Sequence, residues 1–295
     1  MNSEDRRAII ALPVVLLVGA GLAFAGSQGS ASVANIPLFA LCIGLAFLVQ
    51  WLVFIPSYIF QTETYFDLTG SITYLTVMAA AVFLTPQRDA RAILLLVLVA
   101  IWALRLGSFL FMRIQRAGKD GRFDELKPSF PRFLLTWTLQ GLWVSFSTAA
   151  ALAAITSELK PELGLFAIIG GIVWLLGFGI EVVADTQKTR FRADPENSGK
   201  FIQSGLWSWS RHPNYFGEIV LWIGIAIIAF PALRGWQLLT LISPIFVTIL
   251  LTRISGVPLL EARADEKWGG QPDYENYKAK TSVLIPMPPS PTETS

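Results

Sequence analysis

Cysteine and histidine are almost missing from this chain of 295 residues. It contains one cysteine, Cys42, and one histidine, His212. A single cysteine excludes an intramolecular disulfide and any site that needs several cysteine ligands. A single histidine likewise argues against a zinc site built from imidazoles. We therefore expect no bound metal.

Charge is scarce as well. Only 15% of the residues are charged and 53% are hydrophobic, whereas a soluble domain carries about a quarter charged residues. The formal net charge of +2 gives no strong field that would attract nucleic acid. The basic residues cluster between apolar runs, as they do in loops at a membrane surface. The composition predicts an all-α protein that crosses a membrane several times.

Eight apolar stretches meet or approach the length that a bilayer requires, which is roughly 20 residues of helix. They cover residues 9–25, 36–60, 68–84, 93–112, 133–155, 163–183, 216–230 and 236–251. The last two stretches are short, and Pro231 and Gly235 break the chain between them. The sequence therefore predicts seven or eight transmembrane helices.

The first stretch has two interpretations. Arg6 and Arg7 precede it and Ala23-Phe24-Ala25 ends it, a pattern that is typical of a cleaved secretory signal over residues 1–25. An uncleaved first span has the same composition. We favour the span, because a series of further spans follows it.

Lysine and arginine concentrate in the loops 113–132 and 185–211 and in the region after residue 252. Two predicted spans separate the two loops, so both lie on one side of the membrane. Basic loops stay in the cytoplasm. We therefore expect these loops and the carboxyl terminus to be cytoplasmic, in a multi-pass protein of a bacterial inner membrane.

Two segments next to predicted spans combine acids, cations and aromatic rings. In the first, Glu181 and Asp185 are four residues apart and project from one helix face, and Arg192 follows them. The second segment contributes an indole, two basic side chains, an amide and an acid: Trp207, Arg211, His212, Asn214 and Glu218. Asn214 and Glu218 are again four residues apart.

This combination favours an anionic cofactor with a sugar and an aromatic ring. Arginine suits phosphates, carboxylates suit ribose hydroxyls, and aromatic faces suit stacking. The simpler interpretation is that such residues anchor helix ends at the membrane interface, with Glu218 as a helix-dipole partner. The chain has no G-x-G-x-x-G after a strand and no P-loop, which excludes a Rossmann or Walker site.

Residues 177–225 resemble the carboxyl-terminal domain of the steroid 5α-reductase family, and more closely its bacterial branch. The matching residues are Gly177-Phe178-Gly179-Ile180, Asp185, Arg192, Gly205-Leu206-Trp207, Asn214 to Glu218, and Trp222-Ile223-Gly224. The match extends to Arg253 and, more loosely, to the tail. The block Arg211 to Tyr215 is also similar to sterol C14 reductases and isoprenylcysteine carboxyl methyltransferases.

The resemblance implies NADPH as the cofactor and a substrate cavity that opens to lipid. It gives cofactor positions to Asp185, Arg192, Asn214, Glu218 and Arg253, and Arg113 or Arg116 resembles a further basic residue of an upstream loop. Together with the aromatic and basic block, the predicted cofactor-binding residues are Arg113, Arg116, Asp185, Arg192, Trp207, Arg211, His212, Asn214, Glu218 and Arg253.

The resemblance also divides the chain into four regions. Residues 1–60 form amino-terminal spans, 61–160 the half with the substrate cavity, and 161–287 the region that binds NADPH. Residues 288–295 form a polar, proline-rich tail that we expect to be disordered.

The amino-terminal half resembles the family weakly. A Gln-Glu pair of the family is matched locally by Gln61-Thr62-Glu63, and a tyrosine position falls near Trp102, for which Tyr65 or Tyr58 is a substitute. Hydride addition to an enone builds negative charge on the carbonyl oxygen, which a proton donor stabilises. A carboxyl group in an apolar pocket has a raised pKa and can donate. We predict Glu63, Gln61 and Tyr65 as catalytic residues; the alternative is a polar helix cap.

The sequence therefore predicts NADPH-dependent reduction of the C=C bond of a lipophilic enone from the bilayer, most simply a 3-oxo-Δ4-steroid. One alternative is an S-adenosylmethionine-dependent carboxyl methyltransferase, which gives no clear reason for so many basic groups. Another is a non-enzymatic lipid-binding or transport protein. Transporters place charges near the middle of the membrane and use inverted repeats, whereas these polar groups gather at one face.

Overall fold

The computed structural model describes residues 3–288, without the side chains of residues 116 and 117. In this range, eight helical segments are long and apolar enough to cross a membrane. They confirm the predicted all-α, polytopic membrane class. Of the predicted disordered tail, residues 289–295 lie outside the described residues.

The helices follow the predicted spans in order. The first five are α1 (Ser3–Gly26), α2 (Leu38–Ile59), α3 (Phe66–Leu84), α4 (Ala90–Ala117) and α5 (Phe130–Thr156). The others are α6 (Leu165–Ala193), α7 (Pro213–Ala229), α8 (Ile242–Ile249), α9 (Val257–Trp268) and α10 (Pro272–Lys280). A two-stranded antiparallel hairpin of β1 (Ser32–Val33) and β2 (Ile36–Pro37) connects α1 to α2.

Two helices extend beyond the predicted spans. Helix α4 continues to residue 117, so Arg113 and Arg116 lie on a helix and not in a loop. Helix α6 continues to residue 193, so Asp185 and Arg192 share it. Hydrophobicity marks only the part of a helix that lies in the bilayer, and arginine, lysine and glutamine are good helix formers that prolong it.

The eighth candidate crossing is irregular. From Gly235 to Trp268 the chain passes through a 3-10 helix (Gly235–Leu241), α8, a π-helical turn (Leu250–Ile254) and α9. Arg253 lies in the π-helical turn, a feature that is common near functional sites. The predicted span 236–251 covers only the first part of this crossing.

The chain forms two compact units. Among the described residues, unit 1 contains residues 3–167 and 226–243, and unit 2 contains residues 168–225 and 244–288. Along the chain, the first change from unit 1 to unit 2 follows residue 167, whereas the region that binds NADPH was predicted to begin at residue 161. Segment 226–243, which the sequence analysis placed in the NADPH-binding region, belongs to unit 1.

In unit 1, α5 is the most buried span, and its alanine-rich stretch from Ala149 to Ile155 is almost fully enclosed. Small side chains let membrane helices approach closely. Buried Arg91 fixes one end of the unit through three backbone carbonyls. Its Nε donates to Ile228 at 3.0 Å, and its two terminal nitrogens donate to Pro161 and Glu162 at 2.7 and 3.0 Å.

In unit 2, α6 and α7 pack through glycines. A Cβ on Gly177 would lie 2.6 Å from the carbonyl oxygen of Gly217, and one on Gly224 would lie 2.6 Å from that of Gly170. Any larger residue would push the two backbones apart. The glycines therefore set the distance between the helices that carry Asp185 and Asn214.

Candidate functional site

The glycine-spaced pair α6–α7 gathers acids and an amide in unit 2. Asn214 donates from Nδ2 to Asp185 Oδ1 at 3.2 Å. Glu181, one turn before Asp185, and Glu218, one turn after Asn214, are both buried. The predicted pairs at four-residue spacing thus lie on two helices joined by a hydrogen bond.

A cavity of about 320 Å³ lies in unit 2, lined by α6 residues that follow Asp185 and by residues that precede Asn214. Six cationic side chains line it: Lys188, Arg192, Lys200, Arg211, Arg263 and Lys267. Six aromatic side chains also line it: Phe191, Phe201, Trp207, Trp268, Tyr274 and Tyr277. Glu261 is its one carboxylate, so the cavity is strongly positive.

In one wall of the cavity, His212 and Arg211 both contact the carboxylate of Glu261. His212 Nε2 lies 2.7 Å from Glu261 Oε1, and an Arg211 terminal nitrogen lies 2.7 Å from Glu261 Oε2. Burial lowers the pKa of His212 below its ordinary value, although the Glu261 hydrogen bond opposes this shift. At neutral pH the imidazole is therefore mainly uncharged.

Three buried polar atoms of this wall and the neighbouring helix have no hydrogen-bond partner among the described residues. They are His212 Nδ1, Arg211 Nε and Asn214 Oδ1. Buried polar atoms are nearly always paired with protein, water or a ligand. This set of donors and acceptors, beside cations and aromatic rings, fits a nucleotide with phosphate, sugar and base.

The aromatic wall is built around Phe201. Its ring centroid lies 5.3 Å from that of Tyr274 and 5.4 Å from that of Tyr277. The Tyr274 hydroxyl donates to Asp265 Oδ1 at 2.9 Å, and the Tyr277 hydroxyl donates to the Trp207 carbonyl at 2.6 Å. The hydroxyls fix the positions of the two tyrosines, and all three rings line the cavity.

The structure brings together most of the predicted cofactor residues. Arg192, Trp207, Arg211 and His212 line the cavity, and Asp185, Asn214 and Glu218 lie on α6 and α7. Trp207 is only 3% exposed and donates from Nε1 to the Ala184 carbonyl at 3.0 Å, so its indole also builds the core of unit 2.

The other three predicted cofactor residues lie elsewhere. Arg253 is exposed in the π-helical turn and is not among the lining residues of the cavity. Arg113 belongs to unit 1, where it lies 3.5 Å from Asp67. The side chain of Arg116 lies outside what the structure describes.

Several residues of the cavity were missed in the sequence. Glu261, Ala264 and Trp268 recur on one face of α9 at intervals of three or four residues, together with the cations Arg263 and Lys267. This helical spacing of charges was visible in the sequence. The pairing of Glu261 with His212 was not, because 49 residues separate them.

In unit 1, Glu63 lies in the short connection between α2 and α3 and is 5% exposed. Its Oε2 lies 2.5 Å from Lys127 Nζ, and its Oε1 accepts a hydrogen bond from the Asp120 amide at 2.9 Å. Burial opposes ionisation, but these two hydrogen bonds outweigh it and lower the pKa of Glu63 below its ordinary value.

The structure therefore does not fit the expectation that Glu63 stays protonated. Lys127, 64 residues further along the chain, supplies the counter-charge that the local sequence did not reveal. Gln61 and Tyr65 are exposed, and in the described structure no hydrogen bond joins either side chain to Glu63. Gln61 donates instead to the Tyr58 carbonyl at 2.7 Å.

A second polar group in unit 1 was also missed. Gln50 on α2 donates to Thr73 of α3 at 2.9 Å, and the Gln140 amide of α5 lies against Gly70, one turn before Thr73. Among the described residues, the Oε1 atoms of both glutamines are buried without a hydrogen-bond partner. Polar side chains inside spans are costly and often functional.

Residues 53–281 match the family described as protein of unknown function DUF1295. The chain belongs to the DUF1295 family. No solved structure matches the chain significantly.

Curated relatives of this DUF1295 protein confirm the resemblance to the steroid 5α-reductase family. It is 26% identical over 167 residues to 3-oxo-5-alpha-steroid 4-dehydrogenase 1 of Rattus norvegicus, which covers 53% of the chain and 57% of that relative. The same-named protein of Bos taurus is 27% identical over 120 residues, 41% of each chain. Steroid 5-alpha-reductase DET2 of Arabidopsis thaliana is 29% identical over 123 residues, again 41% of each. The chain thus spans from two fifths to somewhat over half of these relatives.

Proposed function

We propose that this DUF1295 protein is a membrane-embedded reductase that uses NADPH to saturate the C=C bond of a lipophilic enone. The substrate class is a 3-oxo-Δ4-steroid or a similar isoprenoid taken from the bilayer. The cavity of unit 2, with six cations and six aromatic rings, carries this proposal. The names of the relatives, which refer to 3-oxo-steroids and steroid 5α-reductase, support the substrate class.

The cavity suits a phosphorylated dinucleotide better than a small neutral ligand. In our proposal Arg192, Arg211 and Lys200 hold phosphates, because guanidinium and ammonium groups form charge-assisted hydrogen bonds with them. Asp185 and Asn214 bind sugar hydroxyls or the carboxamide, and the aromatic wall takes the base. Arg253, Arg113 and Arg116 remain predicted cofactor residues.

A bound NADPH would supply hydride to the β carbon of the enone. The protein must then stabilise the negative charge that grows on the carbonyl oxygen. Glu63 is ionised while Lys127 holds it, so it can donate a proton only after this contact opens and the carboxyl takes up a proton. We propose this opening as part of the role of Glu63. The buried amides of Gln50 and Gln140 lie in the same unit, and their unpaired Oε1 atoms are acceptors among the described residues.

The position in the membrane is also part of the proposal. Eight apolar helices support a multi-pass membrane protein. We propose that it lies in a bacterial inner membrane with its basic loops and carboxyl terminus in the cytoplasm, where NADPH is available.

Ligand-dependent melting tests the cofactor. NADPH should raise the melting temperature, because a ligand that binds only the folded state stabilises it. Arg192→Ala and Arg211→Ala should each weaken NADPH by roughly 1.5–3 kcal/mol, about 10- to 150-fold, for a lost charge-assisted hydrogen bond.

Arg190→Ala is the matched control, because Arg190 lies on α6 two residues from Arg192 but does not line the cavity. It should leave NADPH affinity unchanged. If S-adenosylmethionine stabilises the protein and NADPH does not, the methyltransferase function replaces the reductase function.

A further inference from the structure

A groove of about 280 Å³ lies in unit 1 and is not part of the site proposed above. Its apolar lining comes from Ala8, Ala11, Leu126 and Leu135. Arg7 on α1 and Arg132 on α5 are the two cations that line it. Both arginines lie in the first two turns of their helices, so they belong to the same end of two membrane spans.

The two arginines differ in their pairing. Arg132 is partly buried, and its terminal nitrogen lies 2.8 Å from Glu4 Oε2. Arg7 is exposed, and in the described part of the chain no ion pair neutralises it. Glu4 also lines the groove, and its carboxylate offsets the charge of Arg132. Arg7 therefore leaves the groove with a net positive charge next to apolar side chains.

The groove continues onto a helix surface that suits acyl chains. Beyond Ala11, on the same side of α1, Val14 and Val18 are 54% and 45% exposed. In a membrane span, such side chains face the hydrocarbon. An amphiphile with a negative head would place its charge at Arg7 and its apolar part along Ala8 and Ala11.

We propose that this groove binds an anionic phospholipid. The phosphate lies against Arg7, with Arg132 as a second donor, and the start of one acyl chain packs on Ala8, Ala11 and Leu135. Basic side chains at a membrane surface attract anionic lipids, and the apolar lining makes the site selective for a lipid over a soluble anion.

Native mass spectrometry of the full chain, released from nanodiscs of phosphatidylglycerol mixed with phosphatidylcholine, tests the proposal. The wild type should retain phosphatidylglycerol preferentially. Arg7→Gln should weaken this retention by about tenfold or more, the scale of one lost charge-assisted contact. Glu4→Gln should strengthen it, because Arg132 loses its carboxylate partner.

Arg6→Gln is the control, since Arg6 is an exposed neighbour that does not line the groove. It should retain the lipid like the wild type. If Arg6→Gln and Arg7→Gln lose phosphatidylglycerol retention equally, the retention depends only on general surface charge. This result would overturn the proposal. Retention of phosphatidylcholine as strong as that of phosphatidylglycerol would also overturn it, as would displacement by soluble glycerol phosphate.

Discussion

At the scale of single residues, the charge state of Glu63 is set by groups that are distant in the sequence. Glu63 was singled out because of its polar neighbours, yet its ionisation depends on Lys127 and on the amide of Asp120. These partners lie 64 and 57 residues away. Local pattern carries no information about such contacts, so the pKa of a site residue is the quantity that sequence predicts least well.

The Glu63–Lys127 pair gives a prediction that separates catalysis from structure. Glu63→Gln should lower turnover about 100-fold, the scale of a lost general acid, without changing NADPH affinity. Lys127→Met removes the counter-charge, so the pKa of Glu63 should rise and turnover should persist. Rates measured with both variants, at matched protein stability, check this.

The stability of the same two variants shows which result would contradict a catalytic role for Glu63. Each should lower the melting temperature by the equivalent of roughly 1.5–3 kcal/mol, since each breaks one charged hydrogen bond. Both variants could melt at a lower temperature and still reduce enones at the normal rate. In that case Glu63 only stabilises the loop that contains Lys127, and another group is the proton donor.

His212 predicts how stability depends on pH. Its pKa in the folded protein lies below the ordinary value of 6.5, so unfolding takes up a proton between these two values. The free energy of unfolding should therefore fall as the pH drops below about 6.5. In His212→Gln, the melting temperature should depend less on pH below about 6.5. An unchanged slope would contradict the assignment.

At the scale of helices, the apolar stretches predicted seven or eight spans, and eight candidate spans follow in the predicted order among the described residues. Their ends were less predictable, because charged helix formers carry α4 and α6 beyond the bilayer. The last crossing was least predictable: Pro231 and Gly235 mark its start, but a π-helical turn replaces regular helix around Arg253. The sequence marked the breaks but not the conformation between them.

The α6–α7 contact predicts a sharp difference between two glycines. Gly217→Ala would place a Cβ 2.6 Å from the Gly177 carbonyl oxygen, whereas a Cβ on Gly179 meets nothing within 4 Å. Gly217→Ala should separate the helices, break the Asp185–Asn214 hydrogen bond and weaken NADPH binding at least tenfold, the worth of about 1.4 kcal/mol. Gly179→Ala should bind NADPH normally. Equal affinities, measured by titration, would show that the helix spacing does not set the site.

At the scale of the whole molecule, length and composition identified the membrane class, and the resemblance identified the family. Segment 226–243, which follows α7 in the chain, packs within unit 1. Apolar segments look alike in sequence, so their packing partners follow from shape and not from composition.

The basic loops predict one arrangement across the membrane. Cysteines introduced at Lys119, Lys200 and Lys280, in a chain with Cys42 replaced, should react with impermeant reagents only from the cytoplasmic side. Lys119 and Lys200 are exposed and Lys280 is partly exposed, so labelling does not depend on unfolding. Labelling of any one of them from the opposite side would refute the arrangement.

The transfer of deuterium tests whether this DUF1295 protein is an NADPH-dependent enone reductase. The purified protein in nanodiscs is incubated with NADPH that carries deuterium at the transferable position, together with a 3-oxo-Δ4-steroid. We expect a saturated ketone with one deuterium at the former β carbon, absent when NADPH is omitted. If the steroid and every other enone of a lipophilic panel stay unchanged, or if the saturated product carries no deuterium, the protein is not an NADPH-dependent enone reductase.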